Sequence, residues 1–308
     1  MSDAMLNQDA LTESEPSSSS DSILSSWVTG VSCLICVGVF LGLGAAEDAN
    51  TWDRLSQFGY LPAHAIWDGQ YWALITSAFV HIEIWHLALN VYWLWVLGSR
   101  LERSIGSLLF LLFFAISAFV SSSFELALSD STGIGASGVV YAFFGFMWVA
   151  RGKYTLFEEV LPANTIWLFV GWLFVCLSLS LADIWEVGNA SHFSGIFFGA
   201  SIAAACTLRP YRVLAVITAG TLLAASLMFC VWCPWSVTWL SNRAYKAHVA
   251  GRYLDAIEAY SQLIQREPEY AWAFQNRSYA YQAVGDNDQA ERDMETAIQL
   301  DPSLKPME

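Results

Sequence analysis

Residues 135–150 read Gly-Ala-Ser-Gly-Val-Val-Tyr-Ala-Phe-Phe-Gly-Phe-Met-Trp-Val-Ala, and no charged side chain interrupts them. A run this apolar predicts a membrane-spanning or fully buried helix. Ser137 lies near its start, between Gly135 and Gly138. Glycines let another backbone approach closely, and the first turn of a helix leaves amide N–H groups free. The stretch therefore predicts either a small-residue packing site or a polar helix start that suits a developing negative charge.

The composition of the whole chain is that of a membrane protein. Hydrophobic residues make up 56% of the 308 residues, charged residues make up 14%, and there are 15 tryptophans. These values lie outside the range typical of soluble domains, so we expect the lipid bilayer to surround much of the chain. The formal net charge is −14. Binding to nucleic acid needs clustered Lys and Arg, so nucleic acid is not an expected partner.

Seven apolar runs predict seven membrane-spanning helices and an all-α fold class, a polytopic helical bundle. They cover residues 23–44, 81–99, 104–126, 137–150, 163–183, 189–207 and 212–232. The fourth run is short, so we expect its Ser137 end to lie below the membrane surface. Residues 1–22 contain five acidic residues and no Lys or Arg, which is typical of a disordered acidic tail.

The basic residues predict the orientation of these spans. They follow the second, fourth and sixth runs, as Arg100, Arg103, Arg151, Lys153, Arg209 and Arg212. The positive-inside rule places such loops in the cytoplasm. We therefore expect an integral, multi-pass protein of a bacterial cytoplasmic (inner) membrane, with its N-terminus inside. With seven spans, its C-terminal segment lies in the periplasm or outside the cell.

The C-terminal segment 237–308 differs from the rest, because its hydropathy falls and its sequence repeats at an offset of 34. The matched positions are Gly251 and Gly285, Ala256 and Ala290, Pro268 and Pro302, Ala244 and Ser278, and Leu240 and Phe274. This period resembles tetratricopeptide repeats, although an ordinary pair of helical hairpins is an alternative. We expect two repeats in a small soluble extracytoplasmic α-helical domain. Three or more are usually needed for stability, so we expect support from the membrane domain, a dimer partner or a bound peptide.

The second run contains polar side chains at membrane depth. His86 and Asn90 are four residues apart and share a helical face, and His81 precedes them. Polar groups are costly in hydrocarbon, so an inward-facing functional role is the first hypothesis, and hydrogen bonding between helices is the alternative. The spacing is not the His-Glu-x-x-His of a zinc protease, so we expect no metal and no cofactor.

The sixth run carries His192, Gly195 and Gly199 on one helical stripe. The two glycines form a small-xxx-small pattern, which draws a second helix close and can bring His192 to Ser137. His86, Ser137 and His192 all begin runs that cross the membrane in the same direction. They are therefore expected in the same outer leaflet, as one site.

Taken together, these motifs resemble those of the rhomboid family of intramembrane serine proteases. The family pattern His-x4-His-x3-Asn matches His81, His86 and Asn90. Its Gly-x-Ser-Gly matches residues 135–138, and its His-x-x-Gly-x-x-x-Gly begins at His192. The stretch Gly98, Leu101, Glu102, Gly106 and Ser107 also resembles the family. The resemblance implies a six-span core over residues 23–207, with a seventh span over 208–236.

The resemblance also implies roles for individual residues. Ser137 and His192 form the catalytic dyad, and His86, Asn90 and the Ser137 amide hold the oxyanion. Five further residues have supporting roles. Tyr141 stacks on His192, His81 is structural, and Gly135, Gly195 and Gly199 support the site as small residues. Two positions depart from the family pattern. Residue 73 is Ala, where many members of the family have Arg, and residue 191 is Ser, where the family usually has Ala.

The implied function is cleavage of single-span transmembrane protein substrates near the outer membrane boundary, with the repeats recruiting a substrate or a protein or peptide partner. Two alternatives come from other classes. The first is a catalytically silent rhomboid-like protein that binds membrane clients. The second is a transporter that uses His86 and Asn90 as a polar pathway, although it leaves the Gly-Ala-Ser-Gly run unexplained.

Overall fold

The computed structural model describes residues 26–44 and 51–304, and within them it contains helices and no strand, which confirms the predicted all-α class. The predicted acidic tail 1–22 lies outside the described residues. The first eleven helices are α1 Trp27–Gly44, α2 Trp52–Gln57, α3 Ala63–Trp67, α4 Ala73–Thr76, α5 Ile84–Ile105, α6 Ser107–Ser129, α7 Ser137–Ala150, α8 Thr155–Val160, α9 Ala163–Leu181, α10 Asn189–Thr207 and α11 Arg212–Phe229. Four more follow: α12 Val237–Val249, α13 Tyr253–Arg266, α14 Ala271–Ala283 and α15 Asn287–Leu300.

Fewer helices than the seven predicted are long and apolar enough to cross a membrane. In the described part of the chain five qualify, namely α1, α6, α9, α10 and α11 together with the short turn before it. Helix α5 qualifies only with the segment 73–79, from which it is bent by 102°. Helix α7 has 14 residues and is therefore about 21 Å long, which is shorter than a hydrocarbon core of about 30 Å.

Protein rather than lipid covers the short helix α7. Most of its side chains are buried, and Phe143, Phe144 and Met147 are fully enclosed by the neighbouring helices. Helices α5, α6 and α10 pack around it. A helix in this position does not have to match the membrane thickness, because most of its surface meets protein. Its Ser137 end is half-buried.

Helix α1 is attached to the bundle by the fully buried carboxylate of Glu102. This carboxylate accepts hydrogen bonds from the amides of Val28 at 3.1 Å and Thr29 at 2.8 Å, and from the Thr29 hydroxyl at 2.7 Å. The Ser107 hydroxyl donates a fourth hydrogen bond at 2.6 Å. Amides in the first turn of a helix have no partner in the helix itself, so Glu102 of α5 caps the start of α1.

Residues 51–83, which precede α5, are folded and contain the short helices α2, α3 and α4. Ala73 is fully buried in this segment, beside the buried side chains of Ile66 and Leu74. The small side chain at Ala73 therefore suits this packed interior, where the family pattern has an arginine.

The four C-terminal helices pack one on the next in chain order. Their core is made of small, aliphatic and aromatic side chains, including Ala256, Leu263 and Tyr260. Gly251 and Gly285 stand in the turn within each pair at φ +71° and +86°, where glycine is favoured over other residues. Whether these pairs are tetratricopeptide repeats stays a prediction.

The C-terminal helices contact the membrane domain at the end of α6. The Trp235 indole N–H donates to the carbonyl oxygen of Ala127 at 2.6 Å. Asp130, which follows α6 in the left-handed conformation, accepts a hydrogen bond from the Thr238 amide at 3.1 Å. Asp130 thus caps the start of α12 in addition to the cap from Ser236.

A second contact joins α12 to the residue that follows α3. The carboxylate of Asp68 forms an ion pair with Lys246 and accepts a hydrogen bond from the Asn242 amide at 2.9 Å. Partial burial acts to raise the pKa of Asp68, but the hydrogen bonds from Lys246 and Asn242 outweigh it, so that its pKa lies below the usual value. Helix α12 therefore lies on both the α6 end and the α3 end of the membrane domain.

Candidate active site

Ser137 and His192 face each other across the contact between α7 and α10. Ser137 is the first residue of α7, and His192 lies in the first turn of α10. The His192 Nε2 atom is 2.8 Å from the Ser137 Oγ atom. A serine hydroxyl that donates to Nε2 requires a neutral imidazole whose proton is on Nδ1. This Nδ1 atom is buried and has no hydrogen-bond partner among the described residues.

Glycines let the backbones of α7 and α10 approach each other closely enough for this contact. A Cβ atom at Gly195 would overlap the carbonyl oxygen of Gly138, and one at Gly199 would overlap that of Ala142. From the other side, a Cβ atom at Gly145 would overlap the carbonyl oxygen of Ile196. The small-residue stripe of the sixth run therefore packs directly on the helix that carries Ser137.

His86 lies beside the start of α7, near Gly135. Gly135 has φ +98°, and a Cβ atom there would be 2.7 Å from His86 Cε1 and 3.1 Å from His81 Nε2. Both the backbone conformation and the two imidazoles thus require glycine at this position. The rings of His81 and His86 meet edge to face at 5.1 Å. His81 Nδ1 lies 3.2 Å from the Phe79 carbonyl oxygen, so this nitrogen carries the proton.

Asn90 is one turn deeper in α5 and buried. Its side-chain Nδ2 donates to the His86 carbonyl oxygen at 2.9 Å, within the same helix. Its Oδ1 atom has no partner among the described residues. The structure therefore brings His86 to the start of α7, whereas the Asn90 amide is bonded to its own helix.

Tyr141 lies one turn after Ser137 and contacts the imidazole of His192. The two ring centroids are 4.6 Å apart and the planes are tilted by 36°. The Tyr141 hydroxyl donates to the carbonyl oxygen of Phe169 at 3.1 Å, which joins α7 to α9. One face of the His192 ring is thus covered by an aromatic side chain that is itself held in place.

A cavity of about 960 Å³ opens over Ser137 and His192, and its size is in the usual range of about 300 to 1,000 Å³ for ligand sites. Trp85 and Trp185 meet at its wall, with ring centroids 4.8 Å apart. Tyr60 also lines it, and burial raises the pKa of the Tyr60 phenol although a hydrogen bond with Ser131 acts in the opposite direction.

The acidic residues around the cavity differ in exposure. Asp183 and Glu186, in the loop before α10, are exposed. Glu125 of α6 is buried and accepts a hydrogen bond from the Ser191 amide at 2.9 Å. Sequence reasoning missed Glu125, although an isolated carboxyl group in an apolar run is a signal of function. In the described part of the chain no cluster of His, Cys, Asp or Glu is arranged to hold a metal ion.

Comparison with known proteins relates this site to a family. A family model described as the rhomboid domain matches residues 68–209. Over 139 residues the chain is 32% identical to Rhomboid protease GlpG of Yersinia pestis (strain Pestoides F), which is 44% of this chain and 48% of that protein. Over 187 residues it is 28% identical to Rhomboid protease GlpG of Salmonella typhi, and this segment is 59% of this chain and 63% of that protein. The chain thus spans about half the length of the first relative and less than two thirds of the second.

The matched segment contains Ser137, His192, His86, Asn90, Tyr141 and Glu125, whereas Tyr60 of the cavity wall lies before it. The segment begins directly after α3 and ends before α11, so α1 to α3 and the C-terminal helices lie outside it. This segment is helical and contains several of the long apolar helices. Residues 68–209, just under half of this chain, are therefore similar to the rhomboid domain.

Proposed function

We propose that the chain is an intramembrane serine endopeptidase that uses Ser137 and His192 as a catalytic dyad. The observation that carries this proposal is the 2.8 Å contact between His192 Nε2 and Ser137 Oγ, at the floor of a cavity lined by apolar helices. A nucleophile and a base within hydrogen-bond distance are the signature of covalent catalysis. The names of the two relatives also support it, since both are called rhomboid proteases.

The geometry supports a two-step reaction. The Ser137 oxygen attacks the carbonyl carbon of the scissile peptide while its proton passes to His192 Nε2. His192 then gives this proton to the leaving amine, and an acyl-enzyme ester remains on Ser137. A water molecule, deprotonated by His192, attacks the ester, releases the second product as a carboxylic acid and regenerates Ser137. Contact with Tyr141 keeps the imidazole oriented through both steps.

The oxyanion that forms in each step lies at the start of α7. The Ser137 amide is in the first turn, where helix N–H groups have no partner within the helix. The His86 ring lies beside Gly135 on the same side. Asn90 completes this set by exchanging its bond to the His86 carbonyl for the oxyanion. In such a site the loss of one donor typically lowers kcat by about 10² to 10³.

The substrates that suit this site are single-span membrane proteins cut near the outer membrane boundary. The helices α5, α7 and α10 all begin at the candidate active site, and basic residues lie at or just after their other ends, namely Arg100, Arg103, Arg151, Lys153, Arg209 and Arg212. By the positive-inside rule the basic ends face the cytoplasm, so the dyad lies in the outer half of the membrane.

This orientation predicts that the C-terminal helices are extracytoplasmic. A protease added to spheroplasts is expected to cleave within residues 237–308, while a tag at the N-terminus stays protected until the membrane is permeabilised. Protection of residues 237–308 in intact spheroplasts would contradict the orientation.

The proposed dyad predicts that a fluorophosphonate probe labels Ser137. The probe reacts only with a serine oxygen that a neighbouring base activates, so mass spectrometry of the labelled protein in detergent or liposomes should locate the adduct on Ser137. The His192→Ala variant should lose at least about 100-fold in labelling rate, since general-base catalysis is typically worth 10² to 10⁴.

A matched control for this experiment is Ser226→Ala. Ser226 is fully buried in α11 and donates only to the Leu222 carbonyl oxygen of its own helix, so labelling should be unchanged. If the wild-type protein is neither labelled nor able to cleave any single-span substrate, the dyad is silent and the client-binding alternative is the better description.

The C-terminal helices support recruitment, because they are held over the dyad end of the bundle. Asp130, which binds the start of α12, lies in the loop that leads to Ser137. We propose that the helices hold the extramembrane part of a substrate. Removing residues 237–308 should then raise KM for native substrates that have an outer domain, and should leave the cleavage of a bare transmembrane peptide unchanged.

The bare peptide is also the control for damage to the membrane domain. If the truncated chain labels with fluorophosphonate at the wild-type rate and cleaves every native substrate as well as the full chain does, recruitment is wrong. The helices would then have a structural or dimerising role.

A further inference from the structure

Glu125 is a buried carboxyl group that the proposed reaction does not use. It lies one turn before the end of α6 and is 5% exposed. It is the one charged residue of this 23-residue helix. A carboxyl group in such a place is costly unless hydrogen bonds compensate it, so a specific function is the reasonable expectation.

The carboxylate of Glu125 caps the helix that carries His192. Its Oε2 atom accepts a hydrogen bond from the Ser191 amide at 2.9 Å, and Ser191 is in the first turn of α10. The residue before α10 is Gly188, which has no side chain to provide a cap. The Ser191 hydroxyl donates to the Gly188 carbonyl oxygen at 2.7 Å and therefore does not cap the helix either. Glu125 thus supplies from another helix the acceptor that α10 lacks, at the end where negative charge is favoured.

Glu125 also lies between the two segments that lead to the dyad. A Cβ atom at Gly188, four residues before His192, would be 3.3 Å from Glu125 Oε2. A Cβ atom at Gly133, four residues before Ser137, would be 3.4 Å from Glu125 Cγ. One side chain therefore packs against the approaches to both residues.

We propose that Glu125 is a positioning residue for the dyad. By accepting the Ser191 amide hydrogen it fixes the first turn of α10, and with it the His192 imidazole against Ser137 Oγ. The proposal rests on the proposed protease function. Glu125 touches neither the substrate carbonyl nor the transferred proton. Its effect is geometric, and a displacement of about 1 Å in such a site can lower the rate by about 10².

Three substitutions separate the position of the acceptor from its charge. Glu125→Gln keeps an acceptor oxygen at the same reach without the charge, Glu125→Asp keeps the charge but shortens the side chain by one methylene, and Glu125→Ala removes both. The matched control is Ser123→Ala, which removes another buried polar group of α6 that donates to the Phe119 carbonyl oxygen. Each purified variant is assayed for kcat and KM on one transmembrane substrate, below its own melting temperature.

The proposal expects kcat of Glu125→Gln within about threefold of the wild type, and kcat of both Glu125→Asp and Glu125→Ala lower by about tenfold or more, with KM nearly unchanged. Fluorophosphonate labelling of Ser137 should fall in parallel. Equal kcat values for the Gln and Asp variants, or a fully active Glu125→Ala, would overturn it. If Glu125→Ala does not fold, the comparison of Gln with Asp still decides. An inactive wild-type protein would instead refute the protease function itself.

Discussion

The Ser137→Ala variant is expected to lose all measurable cleavage of transmembrane substrates. The hydroxyl that His192 activates is absent in this variant, and alanine has no atom that can form the acyl-enzyme. In a well-studied serine protease, loss of the nucleophile lowers kcat by about 10⁶, which would put the product below detection. The assay is cleavage of a single-span substrate in proteoliposomes that contain the purified full-length chain, followed by gel analysis and mass spectrometry of the products.

The variant should fold normally, because Ser137 is half-buried and alanine is a good helix former. Its melting temperature and its chromatographic profile should match those of the wild type. Ser226→Ala is the parallel control, and it should retain full cleavage. Substantial cleavage by Ser137→Ala, at a site identical to that of the wild type, would rule out the proposed mechanism.

The second large effect is expected from Gly199→Ala. Its new methyl group would overlap the Ala142 carbonyl oxygen, so α10 must move away from α7 by a substantial fraction of an ångström or more. Overpacking of this kind typically destabilises a protein by about 1 to 3 kcal/mol. The same movement carries His192 away from Ser137, and we expect kcat/KM to fall by about 10².

Gly220→Ala is the matched control for this substitution. Gly220 is also a helical glycine in an apolar span, but apart from the adjoining backbone of its own helix no atom lies within 4 Å of the Cβ position there. Its alanine variant should keep wild-type cleavage and a melting temperature that is unchanged or slightly higher, because alanine favours the helix over glycine by about 1 kcal/mol. Equal activity and stability of the two variants would mean that the close approach of α7 and α10 is not required.

The helical fold was predictable because apolar runs of sufficient length have few alternatives in a membrane. The short helix α7 is a case in which an apolar run does not indicate contact with lipid. Its apolar composition predicts a span over residues 137–150 in spite of their short length, whereas the structure encloses them within protein, and this depends on contacts with α5, α6 and α10. The small helices between residues 51 and 83 were not predicted, since six residues or fewer carry too little periodicity.

For the site, motif spacing predicted which residues belong together, because positions three, four and seven apart share one side of a helix. It did not predict their hydrogen bonds. The Asn90 amide is bonded within its own helix, and the Ser191 amide is bonded to Glu125, which is 66 positions away in the chain. Partners this distant follow from the packing of α6 against α10, and no local pattern in the sequence encodes them. The contacts of Asp68 and Asp130 with α12 also join residues that are distant in the chain, and no local pattern predicts them.

The buried carboxylate of Glu102 bears on where the independently folding unit begins. The family match starts at residue 68, yet three of the four hydrogen bonds to Glu102 come from Val28 and Thr29 of α1. A fragment cut at the edge of the sequence likeness would leave a charged group in an apolar interior without most of its donors, a penalty comparable with the stability of a small domain. The smallest recombinant piece that behaves like the native protein should therefore retain α1, although that helix is outside the region by which the family is recognised.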